Sequence, residues 1–216
     1  MKSKELKILR KRLAAANRSE DLLRGLDDDG IVLSFEVPEN EAETARRNLS
    51  IIFASSGNIT ESRIIECLDL FERNMGELYR NSSWGLDMEE KLTELRHDKA
   101  RFLLLLDDNE KLAGFVHFRF EYDEEESPSC AVLYIYEIQI ESIYRRCGIG
   151  KRLMNITERI ARNESMLKVL LTVFKSNQEA MSFYTKKMGY NIDETSPTKF
   201  GESADYEILS SLVHPE

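Results

Sequence analysis

Cysteine, histidine and long apolar runs are all scarce in this 216-residue chain, and each shortage removes a class of protein. The three cysteines, Cys67, Cys130 and Cys147, stand singly without Cys-x-x-Cys spacing. That argues against a disulfide framework and a zinc site, and it suits a reducing compartment. The three histidines, His97, His117 and His214, are too dispersed for a metal cluster, so no metal is expected. The longest unbroken apolar runs, 102–106 and 131–136, have the length of strands and fall far short of the roughly 20 residues of a spanning helix. Nothing reads as a signal peptide, and no membrane partner is expected. Dinucleotide and nucleoside-triphosphate folds are also poorly supported. Leu153 stands where the third glycine of Gly-x-Gly-x-x-Gly would be, and Gly150-Lys151 is followed by Arg152.

The formal net charge of -9 is unevenly spread. Residues 1–24 carry eight basic side chains against three acids, a net of +5, which leaves 22 against 36, or -14, for the rest. An acidic body repels the nucleic-acid backbone, so direct nucleic-acid binding is not expected. The charge reads either as ordinary solubility or as a match for a basic partner. Leu6, Leu9, Leu13 and Ala16 follow helical spacing, so an amphipathic helix is expected over 2–24, packing on the domain or serving in nuclear import. Residues 1–26 are read as that appended helix and 27–216 as one domain, whose apolar content is enough for a sizeable core.

The stretch 132–150, VLYIYEIQIESIYRRCGIG, organises the remainder. Its β-branched and aromatic start reads as a buried strand interrupted by one acid, Glu137. Arg145, Arg146 and Cys147 then lead into Gly148-Ile149-Gly150, and Ile149, Leu153, Ile156 and Ile160 recur at helical spacing. Glycines at a strand-to-helix junction serve either as a tight connection or as an anion site, where unpaired amides and the helix dipole attract phosphate oxygens.

The turn Asp27-Asp28-Asp29-Gly30 precedes a first strand over 31–37, and the polar stretch 38–58 reads as an inserted loop. A helix with the stripe Ile64, Leu68, Phe71, Met75 and Leu78 is capped by Thr60 or Asn58. Asp87-Met88-Glu89-Glu90 has the form of a capping box for a short helix over 88–96. Strands follow over 101–106 and 111–122, then an acidic loop over 121–126. Past the organising strand and its helix come a strand over 168–174, a helix over 177–188, and strands over 190–193 and 204–209.

Arg-x-x-Gly-x-Gly after a strand resembles the pyrophosphate loop of the GCN5-related N-acetyltransferases, which bind acetyl-coenzyme A. Residues 177–190, NQEAMSFYTKKMGY, resemble a second motif of that family. The implied fold is mixed α/β: a central, mostly antiparallel twisted sheet flanked by helices, here with an extra N-terminal helix. The segments MGELYRNSSWG, HFRFE, LYIYEIQIES, RRCGIGK, LTVFKSNQ, IDETSP and DYEILS together resemble the NatD-type histone N-terminal acetyltransferases over most of residues 60–210. Stretch 38–58 and loop 123–126 depart from that pattern.

The resemblance implies acetyl transfer from acetyl-CoA, by direct attack in a ternary complex, to the N-terminal amine of histone tails beginning Ser-Gly-Arg-Gly. An α-amine with pKa near 7.7 to 8.0 is roughly a quarter neutral near pH 7.4, against about 0.1% for lysine, so modest base strength suffices. Glu137 is the expected base, directly or through water, unless it merely pairs with a basic neighbour. Tyr136 and Tyr184 complete the expected catalytic set, Tyr184 as donor to the leaving thiolate. Amides of Ile138, Gln139 and Ile140 are expected to polarise the thioester and hold the pantetheine. The remaining cofactor positions are Arg145, Arg146, Cys147, Gly148, Ile149, Gly150, Lys151, Thr172 and Asn177. The resemblance places Tyr79, Trp84, Glu121, Tyr134, Tyr136, Thr195 and Tyr206 around the peptide, with Glu121 accepting from the substrate arginine. It also implies a monomer found in nucleus and cytoplasm. The rival readings are acetylation of another protein N-terminus or a polyamine, and a non-catalytic module that binds basic tails.

Overall fold

A computed structural model describes residues 3–25, 32–38, 44–124 and 128–213. The turn expected at 27–30, Ile31, the loop residues Glu125 and Glu126, and His214 lie outside the described residues. Eight strands form one sheet in the order β1-β2-β3-β4-β5-β6-β8-β7. They are β1 (Val32–Pro38), β2 (Thr44–Ser55), β3 (Arg101–Asp107), β4 (Leu112–Tyr122), β5 (Ala131–Ile140), β6 (Lys168–Phe174), β7 (Asn191–Ile192) and β8 (Tyr206–Leu212). Every neighbouring pair is antiparallel except β5 and β6.

Helices α1 (Ser3–Ala16) and α4 (Ile149–Asn163) cover one face of the sheet, and α2 (Glu61–Arg80) and α3 (Met88–Leu95) cover the other. The stripe of α4 is buried at Ile149, Leu153, Ile156 and Ile160, against Leu133, Ile135 and Val169. Thr60 caps α2 by accepting from the Arg63 amide, and Asp87 caps α3 by accepting from the Glu89 and Glu90 amides. Leu9 and Ala16 of α1 are buried with Phe118 and Phe120. The helix stops well short of residue 24 because Asn17 turns away, its Nδ2 donating to both Leu13 O and Phe120 O.

Three more expected elements differ. The stretch 38–58 holds a twelve-residue strand rather than a loop. The polar first part of β2, 44–48, pairs with β1 alone, whereas Leu49–Ser55 pairs with β3 and buries Leu49, Ile51 and Ala54. Only the second part must therefore be apolar. The helix expected over 177–188 is α-helical only in α5 (Gln178–Ser182), then widens into a π turn, Phe183–Lys187. There the Met188 amide reaches back five residues to Phe183 O. The last strand runs to Leu212, since pairing with all of β6 carries it past the expected end at 209.

Candidate active site

The site begins where two parallel strands part. β5 keeps β4 beside it as far as Ile140, but is bonded to β6 only over Val132, Leu133, Tyr134 and Ile135. Beyond that point β6 continues beside β8, and a cleft of about 1090 Å³ opens between the diverging strands. Among the described residues, the β5 edge facing it has no strand partner from 136 to 140, so alternate backbone groups there are turned toward the cleft.

A bulge decides which side chains enter. His117 of β4 lies opposite Glu137 and Phe118 opposite Ile135, which leaves Tyr136 as the extra residue. Before the bulge, Leu133 and Ile135 face α4 while Tyr134 faces the other way. After it, Ile138 and Ile140 face α4, and Glu137 and Gln139 point toward α2 and α3. An unbroken alternation would have put Glu137 on the same side as Ile135.

Glu137 is only 5% exposed and fully engaged. Its Oε1 accepts from Lys91 Nζ at 2.9 Å and its Oε2 from Gln139 Nε2 at 2.7 Å. Lys91 also donates to Glu94 Oε1 at 2.8 Å, and its Nζ lies 4.6 Å from the centre of the Phe71 ring. Burial works against the lysine charge, but Glu137 and Glu94 hold the ammonium above its ordinary range. Burial raises Glu94 against the pull of the same lysine. Behind them His117 is sandwiched between Phe102 and Tyr136, and burial keeps its imidazole well below its ordinary value and neutral.

One end of the cleft is aromatic. Trp84, half exposed, meets Phe174 and Tyr206 edge-on at 5.1 and 5.0 Å, and Tyr79 meets Phe174 at 5.0 Å. The loop carrying Trp84 is tied to β8: Asp205 Oδ2 accepts from the Ser83 amide at 2.7 Å, which holds that carboxyl below the ordinary range. Tyr134 and Tyr136 stand side by side at 5.0 Å, with the Tyr134 hydroxyl bonded to Thr172 and the Tyr136 hydroxyl donating to Glu121 at 2.9 Å. Arg119 lies over the Tyr136 ring at 4.2 Å.

The other end is the glycine loop. Arg146 and Gly148 both take left-handed backbone, φ 65° and 81°, and no side chain caps α4, so its first amides are left for another acceptor. Arg145 is held by Ile140 O and Asn74 Oδ1, while the exposed Arg146 pairs with Glu179. Asn177 caps α5 through the Ala180 amide. Tyr184 is buried against this end, and burial pushes its phenol well above its ordinary range, so the hydroxyl keeps its proton.

Of the residues expected from sequence, sixteen line the cleft: Tyr79, Trp84, Tyr134, Tyr136, Glu137, Ile138, Gln139, Ile140, Arg145, Arg146, Gly148, Gly150, Lys151, Thr172, Asn177 and Tyr184. Five do not. Glu121 and Tyr206 stand behind Tyr136 and Trp84, and the Ile149 side chain is buried in the core. Cys147 turns its thiol to Arg145 O, and Thr195 spends its amide and hydroxyl on Asp193.

The sequence profile of the acetyltransferase (GNAT) family matches residues 65–190, more than half of the chain. The chain belongs to the GNAT acetyltransferase family. Among curated relatives, N-alpha-acetyltransferase 40 of Saccharomyces cerevisiae is 29% identical over 137 residues, 55% of this chain. That match spans about half, 48%, of the yeast protein's own length. Arabidopsis thaliana NAA60, solved with a bisubstrate analogue, has a TM-score of 0.55 at 18% identity, covering 76% of this chain and all of its own. The PaiA N-acetyltransferase of Thermoplasma acidophilum, solved with coenzyme A, has a TM-score of 0.54 at 17% identity, covering 76% and 98%. At such identities the likeness speaks for the fold. No group of metal-binding side chains occurs among the described residues.

Within this GNAT domain, sequence reasoning missed Lys91, Glu94, Asn74 and Asp205. Lys91 left a signal: Met88, Leu92 and Leu95 form the inward stripe of α3, and Lys91 lies on it, one turn from Leu95. Glu94 follows Lys91 by three residues, the spacing of a pair on one helix face, whereas Asn74 and Asp205 left no signal, because their partners are remote in the chain.

Proposed function

We propose that the protein is an N-alpha-acetyltransferase that moves acetyl from acetyl-CoA to the free amine of protein N-termini beginning Ser-Gly-Arg-Gly, the start of histone tails. The observation that carries the reading is the placement of Glu137: a buried carboxylate at the point where β5 leaves β6, between an aromatic mouth and an uncapped glycine loop. The match to a relative named as an N-alpha-acetyltransferase supports it.

The residues at the loop end fit acetyl-CoA. Uncapped amides at the start of α4 suit its pyrophosphate, with Lys151 and Arg145 adding charge, and the free edge of β5 suits its pantetheine amides. Acetyl-CoA supplies the acetyl group as an activated thioester. On the protein's side, amides of β5 donate toward the carbonyl oxygen where negative charge develops. The substrate reacts as its neutral amine, and Glu137 takes, directly or through a water, the proton that the nitrogen sheds as it attacks. Tyr184, still protonated, is the donor to the departing sulfur. Tyr79, Trp84, Tyr134 and Tyr136 enclose the small first residues, and Glu121 holds the Tyr136 hydroxyl from behind.

The experiment is intact-mass analysis of a Ser-Gly-Arg-Gly-Lys-Gly-Gly peptide incubated with the protein and acetyl-CoA, beside the same peptide blocked at its amine. One acetyl added to the free peptide alone is the expected result. Addition to the blocked peptide, or faster turnover of spermidine than of peptide, would overturn the reading.

A further inference from the structure

We propose that Lys91 is a positioning residue for the transfer: it holds Glu137 as a fixed carboxylate and leaves the site one negative charge, which balances the positive charge that the attacking amine nitrogen develops. The inference rests on the reading of Glu137 as the base. Lys91 and Glu94 lie one turn apart on α3, and both face the parting strands. The lysine Nζ itself lies over Phe71 and Tyr79, 4.6 and 5.4 Å from the ring centres, a contact that uses the charge, so apolar packing alone does not account for a lysine here. Its Nζ meets two carboxylates, Glu137 at 2.9 Å and Glu94 at 2.8 Å. The other oxygen of Glu137 is held by Gln139, whose Oε1 is in turn held by Asn74. One ammonium thus serves two buried acids, and the second positive charge of the set is the one that develops on the substrate nitrogen as it attacks.

The surrounding groups do not replace Lys91. On α2, Tyr79 is a neutral phenol that burial pushes above its ordinary range. On β4, His117 is neutral, and Arg119 is turned to Glu94 O, Tyr136 and Glu121. On β5, Gln139 and Tyr136 carry no charge, and Tyr184 beyond the cleft is likewise neutral. With the lysine gone, Glu94 and Glu137 become like charges in one buried site, and such a pair retains a proton.

The test is the pH profile of kcat/KM for the free peptide with wild type, Lys91→Met and Lys91→Arg. Wild type rises to its plateau with a slope of one, set by the substrate amine near pH 7.7 to 8.0. Lys91→Met is expected to move the acid limb up by about one pH unit or more and steepen it toward two, since a second proton must leave. Lys91→Arg restores the wild-type limb, and coenzyme A affinity is unchanged in both. A drop in rate equal at every pH, or a limb that stays in place, overturns the proposal. A second measurement needs neither turnover nor a Lys91 variant. The infrared difference between wild type and Glu137→Gln should show carboxylate bands alone over about pH 6 to 8, and a protonated-carboxyl band there overturns the proposal. Wild type that acetylates no free N-terminus would defeat the proposed function, while the infrared result would still decide the role of Lys91.

Discussion

Replacing Gly114 by alanine puts a methyl group into the β4–β5 ladder just where β5 enters the cleft. A Cβ there lies 2.6 Å from Gln139 O, 3.3 Å from Ile140 Cα and 3.4 Å from Ile140 Cγ1, whereas ordinary contact begins at 3.4 Å. The shortfall against the carbonyl is 0.8 Å, and the nearest two atoms are backbone that a rotamer change cannot remove. Relief must come from pushing the two strands apart, against the pairing of Gly114 with Ile140 and the bond from the Glu141 amide to Ala113 O. Overpacking of this kind costs about 1–3 kcal/mol. For a domain of this size that is a fall in Tm of roughly 2–12 °C. Because the displaced carbonyl belongs to the segment proposed to hold acetyl-CoA, kcat/KM for that substrate should fall by about 10- to 100-fold, the usual penalty for sub-ångström to ångström misplacement at a site. Gly76→Ala is the control. Its Cβ first meets the flexible end of Arg80 at 3.2 Å and then Glu72 Cγ at 3.4 Å, both side chains of the same helix rather than backbone, and alanine there should stabilise by about 0.5–1 kcal/mol. Thermal melts and acetyl-CoA saturation curves of both variants read the difference. A Gly114→Ala protein that melts with wild type and keeps its acetyl-CoA KM would refute the reasoning.

Two further outcomes follow from side chains outside the catalytic set. Asp205→Ala frees the Ser83 amide and with it the loop carrying Trp84, so peptide KM should rise several-fold with little change in kcat or in coenzyme A affinity; an unchanged peptide KM would show that the loop stays in place without its tether. Burial works against the Asp193 charge, yet bonds from Lys168, Ser210 and Thr195 hold its pKa at about 2 against an ordinary 3.8. A depressed folded pKa stabilises above the unfolded value and is lost as pH falls through the folded one, so Tm should drop between about pH 4 and pH 2. Asp193→Asn should be less stable at neutral pH and lose that acid-induced drop; a variant that keeps it in full would assign the drop to other carboxylates.

Elements with a continuous apolar pattern were the legible ones. The stripe of α4, the start of α2 and the runs of β3 and β6 could be read directly, because burial on one or both faces leaves little choice of side chain. Strand β2 was hidden by its own polar beginning, although Leu49, Ile51 and Phe53 already alternate toward one core. The π turn after Ser182 was not legible, since it is a choice between backbone partners one residue apart. Half of the cleft-lining positions could be named, because those cluster in a few contiguous motifs. The partners of Glu137 could not: Lys91 is 46 residues away, and only the packing of α3 over the sheet brings it there. Thr195 shows the converse, a residue named by motif whose own turn uses up its hydrogen bonds.

The bulge at Tyr136 turns the chemistry of this cleft into a question of parity. The side to which Glu137 points is set by the one residue that the ladder leaves out between Ile135 and Glu137. With every residue kept and the bulge ironed out, regular alternation would swing the acid away from Lys91 and into the apolar layer under α4, whereas loss of Tyr136 would leave Glu137 opposite His117 and still facing Lys91. The strand is therefore under two separate constraints, composition for folding and the placing of one extra residue for reactivity. A chain of this family with as many residues in β5 and no bulge would carry its acid in the core rather than in the cleft.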